Sequence, residues 1–397
     1  MPPAAFGPLQ EGARSSDAVR VTPVRTARDR RAFLAFPWAV YRRDPLWVPP
    51  LVSERRRCID PARGAFFQRG EAELFLARRA GRVVGTACAA EDRALNAATG
   101  RRECMFGFFE CEQDTEAARA LVRQAARWAA DRSLLTLVGP FNLDYEDAYG
   151  VLVEGRDRPP TVLCGHTPAW YQGFFEGQGF AALRGDNLAY EVRLDTESPA
   201  LRRTAVLAER IRERGWIRIR TPVLSRWMDE VDVVRDLMNR SMAHLPDFRP
   251  WEREAVEGLL APFKDLADPD LVLFAEIDGK SIGWFPGIAN MNEVLIHLNG
   301  LRRPWDLLRA LRWMRYRPRC LAIKSVLILP EYWGSGAALL LIDEMARRAR
   351  SKGYEWVDLS LTSDDNPYTP ELATRMGGRI YKRYRTYTRP VTDILSS

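Results

Sequence analysis

The sequence predicts an α/β (α+β) protein built from two similar units in tandem, each a mixed, mostly antiparallel sheet flanked by helices. Three observations predict it. A chain of 397 residues is long for one core, and at roughly 100–200 residues per domain two domains are expected. Its 46% hydrophobic and 28% charged residues are the profile of a globular rather than a disordered chain. The order hairpin, strand, helix, strand, helix, strand occurs twice, as a repeat of elements rather than of residue identities.

Residues 1–18 contain Pro, Gly, Ala and Ser without an apolar core, and are expected to form a flexible tail rather than a signal peptide. The first unit is placed at 19–215. Its apolar runs 73–78 and 82–89 are split by Ala80-Gly81, a hairpin signal. A strand over 105–111 leads into 115–132, where Ala118, Leu121, Val122, Ala125 and Ala129 keep helical spacing. A strand over 134–138 closes at Gly139-Pro140, and a short helix over 170–176 closes at Gly177. A helix over 201–214 ends at Gly215. The second unit, 216–397, opens with a strand over 216–220 and a helix over 226–242. Strands over 271–277 and 281–289 are joined by Asp278-Gly279, a strong hairpin turn. A strand over 322–329, a helix over 334–352, a strand over 356–361, a helix over 370–376 and a strand over 379–387 complete it.

Composition narrows the function classes. No run reaches the ~20 apolar residues that span a bilayer, so a cytoplasmic protein is expected. Cys58, Cys88, Cys104, Cys111, Cys164 and Cys320 form no CxxC pair and have no histidine at a ligand spacing, so neither a metal site nor a disulfide framework is expected. A net charge of +7 admits nucleic acid, anionic lipid or a polyphosphate ligand. The absence of a helix-turn-helix, zinc-finger or RNP pattern argues against nucleic acid.

Chemistry concentrates in the segment from Ser325 to Leu341. The β-rich residues Val326, Leu327, Ile328 and Leu329 run through Pro330 into Trp333-Gly334-Ser335-Gly336-Ala337-Ala338, and then into an amphipathic helix. Small residues let the backbone approach a ligand. A helix N-terminus offers unpaired N–H groups and a partial positive charge, which suit a pyrophosphate.

This segment resembles the acyl-CoA motif of the GNAT superfamily: Arg or Gln, two residues, Gly, one residue, then Gly or Ala. Trp333 takes the first place, Gly336 the fourth and Ala338 the sixth. Trp333 departs from the pattern and removes one polar contact. The strand Val326–Leu329 matches the one whose backbone pairs with pantetheine, and Asn366 a family Asn near the pantetheine arm. Gly377-Gly378, Tyr381 and Tyr384 fit the family's downstream pattern. The resemblance implies acyl-CoA as co-substrate, direct transfer to an amine, and the GNAT fold. The family's general-acid tyrosine, seven residues after that Asn, is Ala373 here, which leaves Tyr368 and Tyr381 as candidates for the acid. His244 is the candidate base, because its ordinary pKa suits proton transfer near neutrality. Asn290 and Asn292 are placed at the acceptor. Asp358, Asp364 and Asp365 read as solvated loop carboxylates or as substrate contacts.

In the first unit the equivalent turn, Glu110 to Ala118, has no glycine. It carries acid where a phosphate would sit, so this unit is read as GNAT-like without the cofactor. Gly139-Pro140-Phe141-Asn142, Gly150 to Gly155, Pro159-Pro160, Tyr171, and the turn from Pro286 to Asn292 with Asn299-Gly300 resemble a bacterial family of tandem GNAT-like proteins, the YghO-like family, over about 21–387. Some of its members are linked to ceramide formation. That implies a lipid (sphingoid) amine as the leading acceptor, with a small amine or an aminoacyl group next. Two rivals stand beside it, a catalytically silent acyl-CoA-binding scaffold and an aminoacyl-tRNA-dependent transferase. Finally, 302–319 is basic and amphipathic: Leu307, Leu308, Leu311 and Met314 share a face, with Trp305, Trp313 and Tyr316 beside them. That pattern suits contact with an anionic membrane surface, a helix packed into the core with solvated arginines or, as a third reading, a nucleic-acid patch.

Overall fold

Two sheets hold the described strands of the chain. The computed structural model describes residues 18–143, 149–194, 198–244, 250–261, 264, 267–313, 315–366 and 369–397. The first sheet has seven strands, in the order β1 (Arg20–Pro23), β2 (Gly70–Arg79), β3 (Arg82–Asp92), β4 (Glu103–Cys111), β5 (Thr136–Gly139), β16 (Tyr387–Pro390) and β7 (Ala181–Ala182). The second has nine. Its order is β6 (Val151–Glu154), β15 (Arg379–Arg385), β8 (Asn187–Arg193), β14 (Trp356–Ser363), β12 (Cys320–Ile323), β11 (Lys280–Ala289), β10 (Val272–Ile277) and β9 (Arg218–Arg220), with β13 (Leu327–Ile328) paired to β11. The expected hairpins are the antiparallel pairs β2–β3 and β10–β11.

The first unit comprises Met1–Leu152, Gly165–Leu183 and Arg385–Ser397, and the second Val153–Cys164 and Arg184–Tyr384. The boundary read from the sequence at 215/216 therefore differs from the observed division. The cause is strand pairing: β8, from the first half of the sequence, runs between β14 and β15, whereas β16, near the C-terminus, runs between β5 and β7.

In the first unit, helix α1 (Thr115–Ala130) turns Ala117, Ala118, Leu121, Val122 and Ala125 onto the sheet. Helix α2 (Trp170–Glu176) and the C-terminal helix α8 (Val391–Ser396) complete that core through Phe174, Phe175, Val391 and Ile394. In the second unit, α3 (Pro199–Glu213), α4 (Trp227–Met242) and α6 (Ala337–Ser351) bury Leu201, Ala208, Val234, Leu237, Leu340, Leu341 and Met345 around the sheet. Helix α5 (Pro304–Trp313) lies between β11 and β12 along the chain, and α7 (Thr369–Arg375) between β14 and β15.

Three elements differ from the sequence reading. The single strand expected over 322–329 is two, β12 and β13, because β12 pairs with β14 and β11 whereas β13 pairs with β11. The helix expected from Gly334 begins at Ala337, because Gly334 and Gly336 are left-handed, with φ of 80° and 93°. The strand expected over 379–387 breaks at Thr386 and serves both sheets as β15 and β16.

Candidate active site

The candidate site of the second unit starts where its central strand breaks. Parallel pairing of β12 with β14 ends at Ile323 opposite Leu359. Beyond it β13 stays with β11, Leu327 opposite Trp284 and Ile328 opposite Gly283. Among the described residues no strand pairs with β13 on its other edge. An open strand edge of this kind offers backbone donors and acceptors to an extended ligand.

From β13 the chain passes through a short turn, Pro330–Tyr332, into the glycine segment and α6. Gly336 is the residue before the helix and caps it with no side chain. A Cβ there would come within 2.4 Å of the Ile211 side chain of α3, on top of the left-handed backbone. Gly334 has nothing within 4 Å of its Cβ direction and is open. The N–H groups of the first turn of α6 have no intrahelical acceptor, and the peptide dipoles add positive potential there. The Ser335 hydroxyl turns back, accepting from Ala337 N at 3.2 Å. Backbone N–H groups and positive potential of this kind suit a phosphate-bearing ligand.

Trp333, half-exposed, donates its indole N–H to the Ile328 carbonyl at 3.0 Å. The side chain that replaces the family's polar residue thus ties the turn to β13. The exposed His244 ring meets Trp333 edge-on, with centroids 5.5 Å apart. His244 is therefore beside the turn that precedes α6.

That cluster centres on Lys324, the first residue after β12. It donates to Asp358 at 2.9 Å and to the Ser360 hydroxyl at 2.6 Å. Asp358 is fully buried in β14, so it is not a solvated loop carboxylate. It also accepts from Tyr381 at 2.7 Å, Thr161 at 2.9 Å and Ser360 at 2.6 Å. The Cys164 thiol lies 3.2 Å from the Ser360 hydroxyl and 3.6 Å from the Lys324 ammonium. Burial alone would lower the Lys324 pKa, but the adjacent Asp358 carboxylate outweighs it and holds the ammonium above its usual range. Burial, reinforced by Asp358, holds the Tyr381 phenol well above its usual value, so it carries its proton throughout the neutral range. The Arg158 guanidinium lies over the Tyr381 ring, 4.5 Å from its centre. Asp358 is surrounded by four donors: the Lys324 ammonium and the Tyr381, Thr161 and Ser360 hydroxyls. It fixes the directions of the lysine, tyrosine and hydroxyl groups beside the strand break.

The other expected site residues have different surroundings. Asn290 is buried, and its side-chain oxygen accepts from Val162 N at 3.0 Å. Asn292 donates to the Pro160 carbonyl at 3.0 Å. Both pin the 153–164 segment, which brings Thr161 and Cys164 to the cluster. The Asn366 side chain accepts from Thr369 N at 3.1 Å at the start of α7. Ala373 is buried against Leu188 and Tyr190. Asp365 accepts from Gly185 N at 2.7 Å, and Asp364 lies 3.4 Å from Arg383. Tyr368 and Met314 lie outside the described residues. Sequence reasoning missed Lys324, although it is the one charge between Cys320 and Leu329.

Residues 234–377 match the family described as Acetyltransferase (GNAT) family. The chain is 31% identical over 380 residues to the bacterial ceramide synthase of Caulobacter vibrioides, covering 92% of this chain and 96% of that protein. The chain belongs to the tandem GNAT acyltransferase family that contains YghO. Protein YghO of Escherichia coli is 28% identical over 371 residues, covering 91% of this chain and 93% of that one. A tandem GNAT protein from the clavulanic acid biosynthesis pathway shares the fold, with a TM-score of 0.56 at 13% identity, over 94% of this chain and 98% of that chain. As a GNAT acyltransferase the protein is an N-acyltransferase. Among its described residues there is no cluster of metal-ligating side chains, and no helix long and apolar enough to cross a membrane.

The first unit of this GNAT acyltransferase repeats the arrangement with its openings filled. Helix α1 is capped by the Asp114 side chain, which accepts from Ala117 N at 3.1 Å. Arg79 binds both Asp114, at 2.9 Å, and Glu116, at 2.8 Å. At the bulge of β4, Phe108 has φ 44°, and its N–H is taken by the Asn142 side chain at 2.6 Å. Phe141 N donates to the Phe106 carbonyl at 3.1 Å, and a Cβ on Gly107 would lie 1.8 Å from the Phe141 carbonyl oxygen.

Proposed function

We propose that the second unit transfers an acyl group from acyl-CoA to a lipid amine of the sphingoid-base class. The observation that carries the reading is the continuous path from the open edge of β13 to the glycine-led start of α6. In this reading the amides of Gly334, Gly336 and Ala338 hold the pyrophosphate, while Ser335 N donates to the Tyr332 carbonyl and Ala337 N to the Ser335 hydroxyl, and the 326–329 edge pairs with the pantetheine arm. The amine nitrogen attacks the thioester carbon, the C–S bond breaks, and the amine proton ends on the departing sulfur. Positioning supplies much of the rate, because thioesters are reactive. Tyr381 and Lys324, aimed by Asp358, are the protonated groups beside the break. His244, next to Trp333, is proposed for the incoming proton. The lipid acceptor is supported by the likeness to the protein named bacterial ceramide synthase. The first unit is proposed to hold no acyl-CoA, because a carboxylate and Asn142 occupy the equivalent positions.

Calorimetry with acetyl- to palmitoyl-CoA, followed by mass spectrometry of products from sphinganine, tests this. Micromolar binding of a long-chain donor is expected, together with an N-acyl product. Ser335→Glu places a carboxylate among the helix-start amides and is expected to weaken binding by roughly tenfold or more. Binding without any amide product from any amine would leave the silent scaffold. If acyl-CoA of no chain length binds, the donor reading is wrong.

A further inference from the structure

We propose that α5 is a docking helix that seats the protein on an anionic phospholipid surface. The helix is held on one side only. Asp306 is fully buried, accepting from Arg303 N at 3.0 Å and from the Asn299 side chain at 3.3 Å. Two turns along, Trp313 stacks on His297, with ring centroids 3.8 Å apart and planes 6° apart. Asp306, Ala310 and Trp313 thus form the inner stripe at i, i+4, i+7.

The opposite face is apolar and uncovered. Leu307, Leu308 and Leu311 are 58%, 69% and 62% exposed, and Trp305 is 52% exposed. At 3.6 residues per turn the three leucines fall within an arc of roughly 100°, turned away from the Asp306–Trp313 stripe. A helix that packed these leucines into the core would be the ordinary arrangement, and the structure does the reverse. A contiguous apolar face of this kind marks an interaction surface.

Charge identifies the partner. Seven arginines lie between 302 and 319, against one acid within that stretch, the buried Asp306; Arg309 lies 3.7 Å from Asp306 and Arg319 pairs with Glu355, so the balance of the segment stays positive. Arg312 borders the leucine arc, Arg303 lies 5.3 Å from the Trp305 ring centre, and Tyr316 continues the aromatic edge. Leucines that enter acyl chains, aromatic rings at the interface and arginines against headgroup phosphates are the three parts of an interfacial helix. A second copy of the chain would bring the same arginines against themselves, which argues for lipid. The inference rests on the exposed helix and not on acyl transfer. It deepens the lipid-amine reading by naming the surface where such an acceptor is met.

Flotation of the full chain with vesicles tests it without any turnover. Phosphatidylcholine vesicles are compared with vesicles that also contain phosphatidylglycerol. The protein is expected to float with the anionic vesicles and to be released by salt. Leu307→Gln/Leu308→Gln/Leu311→Gln is expected to cut the bound fraction roughly tenfold or more, and Arg312→Gln/Arg315→Gln to weaken it by less. These positions are exposed, so circular dichroism should show the fold unchanged, and the milder Leu308→Gln should show the same direction. Equal flotation of wild type and leucine variant would overturn the proposal, as would self-association or RNA binding that the leucine variant abolishes without any flotation of the wild type. Acyl transfer to a soluble short-chain amine, measured separately, reports on the catalytic reading alone.

Discussion

Lys324 and Asp358 are an ion pair at 2.9 Å whose carboxylate is fully buried. Replacing Lys324 with Met leaves a fully buried carboxylate facing three hydroxyls but no cation. Breaking a buried pair in this way costs about 3–5 kcal/mol. Urea unfolding should show that loss for Lys324→Met, and recovery of part of it in Lys324→Met/Asp358→Leu. A single variant with an unchanged midpoint would mean that the pair is not buried in solution. In the first unit, burial holds the Glu110 carboxyl up to about 7, against opposing hydrogen bonds that include one from the Tyr171 hydroxyl at 2.7 Å. The native state therefore binds more protons than the unfolded state between the ordinary carboxylate range and about 7, and stability falls as pH rises through that window. The drop should be about 1–3 kcal/mol, because each tenfold change in proton affinity is worth ~1.4 kcal/mol. Glu110→Gln should flatten the pH profile, and a slope unchanged in that variant would place the titration elsewhere. At this scale the sequence was partly legible. Lys324 stands out as a lone charge in an apolar run, and Tyr381 was expected. Thr161, however, meets Asp358 across a separation of 197 residues, and no local pattern encodes that meeting.

Two helix starts of similar sequence position have opposite electrostatic endings. Asp114 caps α1 with a carboxylate that Arg79 also holds, whereas α6 begins on Gly336 with no side chain at all. The difference was readable as the acidic, glycine-free run after Glu110 against the Gly-Ser-Gly run after Trp333, because capping is a local property. The strand break was not readable. Residues 322–329 are largely β-forming, and what splits them is a change of partner, from β14 and β11 to β11 alone, which only the assembled sheet defines. Asp114→Ala is expected to cost about 1–2 kcal/mol from lost capping and pairing. Chemical denaturation measures that loss. Calorimetry on the same variant should give an unchanged acyl-CoA affinity, since the proposed donor turn is in the other unit. A clear change in affinity would mean that the first unit takes part in donor binding.

The repeated order of elements places a boundary at 215/216, and strands from each side of it pair with strands from the other. A fragment 1–215 lacks β16, the strand between β5 and β7, and also lacks Val391 and Ile394 of α8 in its core. Those two side chains alone stabilise by roughly 1.5–3 kcal/mol each. Against a typical total of about 5–15 kcal/mol, losing them together with a ladder strand is enough to unfold a domain. A fragment 216–397 lacks β8, which bridges β14 and β15, and lacks α3, whose Leu201 and Ala208 are core residues. Neither half is expected to show a cooperative thermal transition when expressed alone, whereas co-expression should restore one. The smaller deletion of 385–397 should destabilise the first unit while sparing the second, visible as early protease cleavage confined to the N-terminal half. A cooperative melt from either isolated half would show that the exchanged strand is dispensable. The repeat would then be a pair of autonomous domains, as element order alone suggests. The reason to expect otherwise is that element order records which structures recur along the chain, and strand pairing decides which of them share a core.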